Sequence, residues 1–301
     1  MKKARSILLA LLVMALWGSL FPAVKIGYAA FGIQSSCVAD ILMFAAMRFA
    51  VCGALVCLFC LIRRKAMPAP RGKAMGNILL IGVFAIVLHY ATSYVGLSMT
   101  DSSKTALLKQ AGVLVYICVS FLFFKDESFS IFKIIGAIVG FGGILCINLN
   151  AGAVQFRFGD ILILCASVCT VVSNIISRRS SQSCAPLWIT GISQLFGGLV
   201  LLAMALGMGA GLPKFTGTGV LVFAYICAAS IVSYTLWYHI LKTSELSKLF
   251  IIKFAEPLFA CIFGALLLGE NIFRWQYLAA FLLICAGIMI GHYKGKVAKH
   301  D

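Results

Sequence analysis

Polar residues do not alternate with apolar ones along this chain; they gather in short connections between long apolar runs. Ten runs stand out, at 7–29, 38–62, 76–99, 103–124, 131–149, 159–177, 187–209, 218–241, 248–268 and 275–293. A helix crossing the roughly 30 Å hydrocarbon layer needs about 20 apolar residues, and each run is close to that length. Lipid offers backbone N–H and C=O groups no partner, so only helices and closed barrels span it. Barrel strands are shorter and alternate in polarity, so these runs predict helices. The clearest breaks are Arg63–Lys73, rich in Arg, Lys and Pro, and the polar stretch Asn148–Arg157. No segment reads as a water-soluble domain.

Composition agrees. The chain is 62% hydrophobic and 11% charged, against roughly 25% charged residues in soluble domains. Its net charge of +16 could suggest a nucleic-acid partner, but the basic residues lie between apolar runs, where membrane topology accounts for them. With the N-terminus inside, the inner connections hold Lys2, Lys3, Arg5, Arg63, Arg64, Lys65, Arg71, Lys73, Lys125, Lys133, Arg178, Arg179, Lys242, Lys294, Lys296 and Lys299. The outer ones hold only Arg157, Lys214 and Arg274. This predicts a multi-pass protein of the cytoplasmic membrane with both termini in the cytoplasm. The start, Met1-Lys2-Lys3-Ala4-Arg5, also has the character of a signal peptide, but no small-x-small cleavage site closes the first run, which favours a retained helix.

Of the twelve cysteines, all but Cys37 and Cys184 fall inside apolar runs. Cys57 and Cys60 have CxxC spacing without a second pair or a histidine cluster, so they read as small buried residues. No metal, nucleotide or cofactor motif is present. In particular the chain has no P-loop, so neither a cofactor nor ATP coupling is expected.

The chain repeats itself. Tyr94, Leu97, Ser103-Lys104, Lys109, Ala111, Asp126, Phe129 and Gly143-Ile144 meet Tyr238, Leu241, Ser247-Lys248, Lys253, Ala255, Glu270, Phe273 and Gly287-Ile288 at a constant offset of 144. The copies lie five runs apart. Five is odd, so the two halves cross the membrane in opposite directions. The expected fold is an all-α integral membrane protein of ten transmembrane helices, built as two inverted five-helix repeats, 1–150 and 151–301. Inverted repeats are typical of secondary transporters, with the substrate site near the midplane between the halves. A duplicated scaffold without transport is the plainer alternative.

Trp17-Gly18-Ser19-Leu20-Phe21-Pro22-Ala23-Val24-Lys25, Arg48, Gly159-Asp160, Glu256-Pro257-Leu258-Phe259 and Leu268-Gly269-Glu270 together resemble, in order and spacing, the drug/metabolite transporter superfamily of EamA type. The resemblance covers essentially the whole chain. It implies a ten-helix inner-membrane carrier, often an exporter of metabolites, and leaves the substrate open. The first half departs from the pattern: Gly112-Val113 stands where the second has Glu256-Pro257, and Lys125-Asp126-Glu127 replaces Gly-Glu.

Charges inside lipid cost about 2.5–3.5 kcal/mol each on insertion scales, so each needs a reason. Lys104 and Lys248 open their helices, where they either snorkel to the interface or gate a cavity. Lys109 and Lys253 lie five residues deeper, about 7.5 Å along a helix, and are candidate substrate contacts. Glu256, the one carboxylate well inside a predicted span, follows Lys253 by three residues. It is either that lysine's ion-pair partner or a protonatable group coupling transport to protons. Pro257 and Pro22 each remove a backbone donor and are candidate kinks or hinges. Lys25 reads as an interfacial anchor. Arg48, mid-helix, calls for a helix-end carbonyl, an acid or a substrate.

His89, Tyr94, Tyr234, Trp17 and Asn174 complete the candidate substrate-binding set. Trp237, Tyr238 and His239 read as interface anchors. Ser173, Gln110 and Gln194 read as interhelical glue, as does Asn174 in its other reading. Gly136, Gly140, Gly191, Gly197 and Gly198 suit close helix packing.

A secondary transporter of a small metabolite working by alternating access, in the exporting direction, fits these residues best. Deep cations (Arg48, Lys109, Lys253) outnumber the deep acid Glu256, which favours an anionic or zwitterionic substrate such as an amino acid or organic acid. The alternatives are a lipophilic-cation or drug exporter and, further off, a membrane-embedded lipid-processing enzyme, which would need a convergent catalytic set that the spans do not offer. The expected partners are membrane lipid, the small-molecule substrate and a proton or other coupling ion, and not nucleic acid.

Overall fold

Lipid leaves an apolar run no stable backbone but a helix, and in the computed structural model the described residues form helices and no strand. The described residues are 2–34, 37–63, 67–99, 102–147, 157–214, 216–269 and 275–293. Arg64, Lys65, residues 148–156, Glu270, Phe273, Arg274, Lys294, Lys296 and Lys299 lie outside them, as do the side chains of Lys2, Lys3, Ser103 and Lys104.

The helices are α1 (Lys2–Phe31), α2 (Val38–Ile62), α3 (Lys73–Gly82), α4 (His89–Met99), α5 (Ser102–Val119), α6 (Ile131–Ile147), α7 (Phe158–Ser180), α8 (Pro186–Gly207), α9 (Gly217–Leu241), α10 (Leu246–Lys253), α11 (Glu256–Leu268) and α12 (Trp275–His292). A π-helical turn, Val83–Leu88, joins α3 to α4 in one crossing, and α10 with α11 makes another. Among the described residues, eight helical runs are long and apolar enough to cross a membrane. The fourth and fifth expected spans are shorter apolar helices, Leu108–Leu122 and Ile131–Cys146. A 3-10 turn, Ser120–Leu122, continues α5.

The two prolines behave differently. Pro257 cannot donate to the carbonyl of Lys253, and the expected ninth helix divides there, between Lys253 and Glu256. Pro22 interrupts nothing: α1 stays helical through it.

Small residues let the helices approach. Without a hydrophobic drive between helices in lipid, van der Waals contact holds them, and contact is closest where side chains are smallest. A Cβ on Gly53 of α2 would stand 2.1 Å from the backbone nitrogen of Leu195 in α8, and one on Gly198 2.4 Å from that of Ala50. Gly136 of α6 and Gly287 of α12 each face the other's carbonyl at 2.6 Å by the same measure. Gly159 opens α7 against the carbonyl of Gly96, and the Asp160 carboxylate caps the Arg157 N–H at 2.6 Å. α1 packs on α9 and α11, α2 on α8, α4 and α5 on α7, and α6 on α12. Leu55, Leu58, Phe59, Leu221, Leu266 and Leu282 point outward and are exposed, as lipid-facing positions require.

Replacing Gly53 by Val pushes a side chain into the α8 backbone, which cannot retreat. We expect a loss of more than about 3 kcal/mol, seen as a large drop in Tm in detergent. Gly76→Val, where nothing lies within 4 Å of the added atom, serves as the control. Equal Tm values for the two variants would contradict this packing.

Candidate functional site

The division of the ninth crossing sets the site. Lys253 ends α10 and Glu256 begins α11, so each charge sits at the helix end whose partial charge it complements. Pro257 leaves the Lys253 carbonyl without its α-helical donor. Among the described residues neither the Lys253 ammonium nor the Glu256 carboxylate has an ion-pair partner, so the expected pair between them does not form. Lys109, on α5, is likewise without one. The fields of Lys109, Lys253 and Glu256 nevertheless overlap. All three side chains are half-buried.

Aromatic rings surround the Lys253 ammonium. The Lys253 ammonium lies 5.2 Å from the centroid of Trp17, a cation–π contact worth up to about 2 kcal/mol when desolvated. Trp17 packs against Tyr234 at 5.6 Å and Trp237 at 5.3 Å. Gly18 makes this possible: a Cβ there would lie 2.6 Å from Cβ of Phe259, so α1 can lie directly on α11. Trp237 Nε1 donates to Asn174 Oδ1 at 2.6 Å, and Asn174 Nδ2 donates to the Thr170 carbonyl.

His89 Nδ1 lies 3.1 Å from the Ala166 carbonyl. A carbonyl only accepts, so Nδ1 is the donor in this contact. Thr170 Oγ1 lies 3.0 Å from the same nitrogen. From His89 a chain of rings continues through Tyr90 at 5.2 Å to Tyr94 at 5.5 Å. It begins where the π-turn ends; such insertions re-aim the side chains that follow and recur at functional sites. Arg48 Nη2 donates to the Tyr90 hydroxyl at 2.8 Å.

Two expectations are corrected. Trp237 and Tyr238 are not interface anchors but core residues, 2% and 3% exposed; the indole is held inside by Asn174. Gln194 is not glue: among the described residues both its amide atoms are buried without a partner, as is Gln110 Oε1. Asn174 does join helices, while Ser173 bonds only within its own helix, to the Thr170 carbonyl.

At one end of the bundle a network ties the halves together. Arg178, closing α7, donates through Nη1 to Glu127 Oε1 at 2.6 Å and through Nη2 to Asp126 Oδ2 at 2.5 Å, with its guanidinium 4.2 Å from the Phe124 ring. Glu127 Oε1 also accepts the Leu246 N–H at 2.7 Å, capping α10. Glu245 accepts from Lys133 at 2.8 Å and from Lys248 at 2.5 Å. Lys248 therefore holds the start of α10, and the side chain of its counterpart Lys104 lies outside the described residues. Burial pushes the Glu245 carboxyl upward, but hydrogen bonds from Lys133 and Lys248 outweigh it and hold the group below its ordinary value. The Lys125-Asp126-Glu127 divergence was the only sequence signal of this network.

A model of the EamA-like transporter family matches the chain twice, over residues 4–149 and 157–291. The chain belongs to the EamA-like transporter family. Among its relatives, the uncharacterized transporter YoaV of Bacillus subtilis is 23% identical over 93% of this chain and 94% of its own. The uncharacterized inner membrane transporter YedA of Escherichia coli is 23% identical over 91% and 87%. The chloroplastic WAT1-related protein At3g02690 of Arabidopsis thaliana is 26% identical over 83% of this chain, which spans 63% of that relative. A solved crystal structure matches the fold with a TM-score of 0.77 at 16% identity, covering 96% of each chain. This EamA-like chain is thus a multi-pass membrane protein of a transporter family. Among its described residues no group of three or more His, Cys, Asp or Glu gathers to hold a metal ion.

Two outcomes follow from the network. Glu127→Gln leaves a buried guanidinium with one partner fewer and lowers stability by about 3 kcal/mol in detergent unfolding; a change below about 0.5 kcal/mol would contradict the pairing. Because the Glu245 carboxyl is depressed, its contribution is complete above the unfolded value and is lost as pH falls through the folded one. Tm of the wild type should therefore fall more steeply below about pH 4.5 than that of Glu245→Gln. Parallel acid limbs would count against the assignment.

Proposed function

We propose that this protein is a ten-crossing secondary carrier of small anionic or zwitterionic metabolites, working by alternating access between two inverted halves, 1–150 and 151–301, and running as an exporter. The observation that carries the substrate class is a pair of half-buried lysines, Lys109 and Lys253, without an ion-pair partner among the described residues, with Lys253 against the Trp17 ring. An amino acid or organic acid gives them a carboxylate, and Glu256 is placed to meet an ammonium or a coupling proton. His89, Tyr94, Tyr234 and Trp17 are the wall, and Asn174 fixes it through Trp237.

The helix contacts support the inverted halves. Exchanging the first five crossings for the last five maps α1 on α9 into α7 on the α3–α4 crossing, and α1 on α11 into α7 on α5, while α2 on α8 and α6 on α12 map onto themselves. The double match of the family model has the same division. The charge asymmetry of the connections supports cytoplasmic termini, which puts the Arg178–Glu127 network on the cytoplasmic face. In this reading the network is the closed inner gate with Lys248 in it; Lys104 is the outer counterpart, and the α10–α11 break at Pro257 is the hinge, with Pro22 facing it from α1.

One observation favours a second reading. Among the described residues Glu256 has no ion-pair partner, and the rings beside Lys253 also suit a lipophilic cation. Reconstituted in vesicles, Lys109→Met and Lys253→Met should each cut uptake of an amino- or organic-acid substrate by more than about tenfold, the loss of one buried charge contact, with insertion and Tm preserved. Undiminished transport in both variants, or transport of lipophilic cations abolished by Glu256→Gln alone, would overturn the anionic reading.

A further inference from the structure

One buried charge takes no part in the proposed site. Arg48 of α2 is 5% exposed. A guanidinium has five donors. Arg48 spends one on the Tyr90 hydroxyl, and its Nε is sealed without a partner. Among the described residues no carboxylate pairs with it. Its planar group lies 4.2 Å from the centroid of Phe49 and 5.4 Å from that of Tyr90, and its field reaches the hydroxyls of Tyr90, Tyr94 and Tyr234. Aromatic faces ease the desolvation of a guanidinium but do not neutralise it. A buried charge left in this state calls for a counter-ion.

Tyr234 connects the two cationic places. Its ring packs on Phe49 at 6.3 Å on the Arg48 side and on Trp17 at 5.6 Å on the other, and Trp17 carries Lys253. Arg48 and the lysine pair therefore stand at opposite ends of one aromatic wall. Among the described residues this part of the bundle sets three cations, Arg48, Lys109 and Lys253, against one acid, Glu256, an excess of two positive charges at the site. A ligand with one carboxylate leaves one end unmatched.

The geometry points to a bipartite cavity whose substrate class is a dianion, a dicarboxylate with one carboxylate on Arg48 and the other between Lys109 and Lys253, its apolar middle along Tyr234 and Trp17. This rests on the carrier reading above and sharpens it. Arg48 is a specificity-determining residue: it selects the second anionic group, while the lysines bind the first. The Tyr90 hydroxyl positions the guanidinium, so Tyr90 acts through Arg48.

The test uses the full-length wild type in detergent and, as probes, the straight-chain dicarboxylates from succinate to suberate, each beside its monomethyl ester. Affinities are taken from ligand-dependent Tm shifts, which follow the ratio of ligand concentration to Kd. At least one chain length should bind about tenfold or more tighter than its half-ester, the effect of one buried charge-assisted contact. Arg48→Gln should collapse that ratio to near one while keeping half-ester affinity. Lys253→Gln should weaken diacid and half-ester alike. Should Arg48→Gln not fold, Tyr90→Phe keeps the ring and frees the guanidinium, and should shrink the same ratio. Equal binding of diacid and half-ester at every length in the wild type would overturn the bipartite site and leave the anion carrier standing. Binding of neither would overturn both.

Discussion

A charge inside a lipid-embedded bundle must be compensated, because the surrounding medium cannot do it. Every other feature of the site depends on how this chain meets that constraint. At the end of the bundle it is met internally: Arg178 is matched by Glu127 and Asp126, and Lys133 and Lys248 by Glu245. In the middle it is not. Lys109, Lys253 and Arg48 have no carboxylate partner among the described residues, and the lysines are half-buried. A site built to satisfy itself would pair them with Glu256, three residues from Lys253. The chain keeps that acid on the other side of a helix break.

The break and the network belong to one crossing. Glu127 caps α10 from the connection after α5, so the first turn of α10 is fixed to that connection. Seven residues after Leu246 the helix ends at Lys253, and it restarts at Glu256. Movement of α11 relative to α10 therefore changes the placement of both charged groups at once. Release of the Glu127–Arg178 contact frees α10 from α7. Packing through Gly53–Leu195 and Gly136–Gly287 gives the α2–α8 and α6–α12 pairs close backbone contact.

Much of this was legible in the sequence. The apolar runs located the helices, because lipid makes helix formation nearly obligatory. The repeated Ser-Lys-x-x-x-x-Lys marked the lysine positions, and Pro257 marked the break, since a missing N–H has the same consequence in any helix. Three features were not legible. The π-turn before His89 depends on packing and not on composition. Trp237 and Tyr238 look like interface aromatics because the preference for the interface is statistical, and a single acceptor, Asn174, suffices to bring the indole inside. The pairing of Glu127 with Arg178 joins residues 51 positions apart, and no local pattern encodes such a contact.

The most direct test of the central claim is to see what the unpaired lysines hold. A structure of the purified protein in lipid, soaked with a brominated carboxylate, gives an anomalous signal that identifies the bound group without ambiguity. The account predicts a bromine peak in the cavity beside Trp17, with the carboxylate within hydrogen-bonding distance of Lys253 or Lys109 and Glu256 still apart from both. A Lys253–Glu256 ion pair, with bromine only at the protein surface, would contradict it.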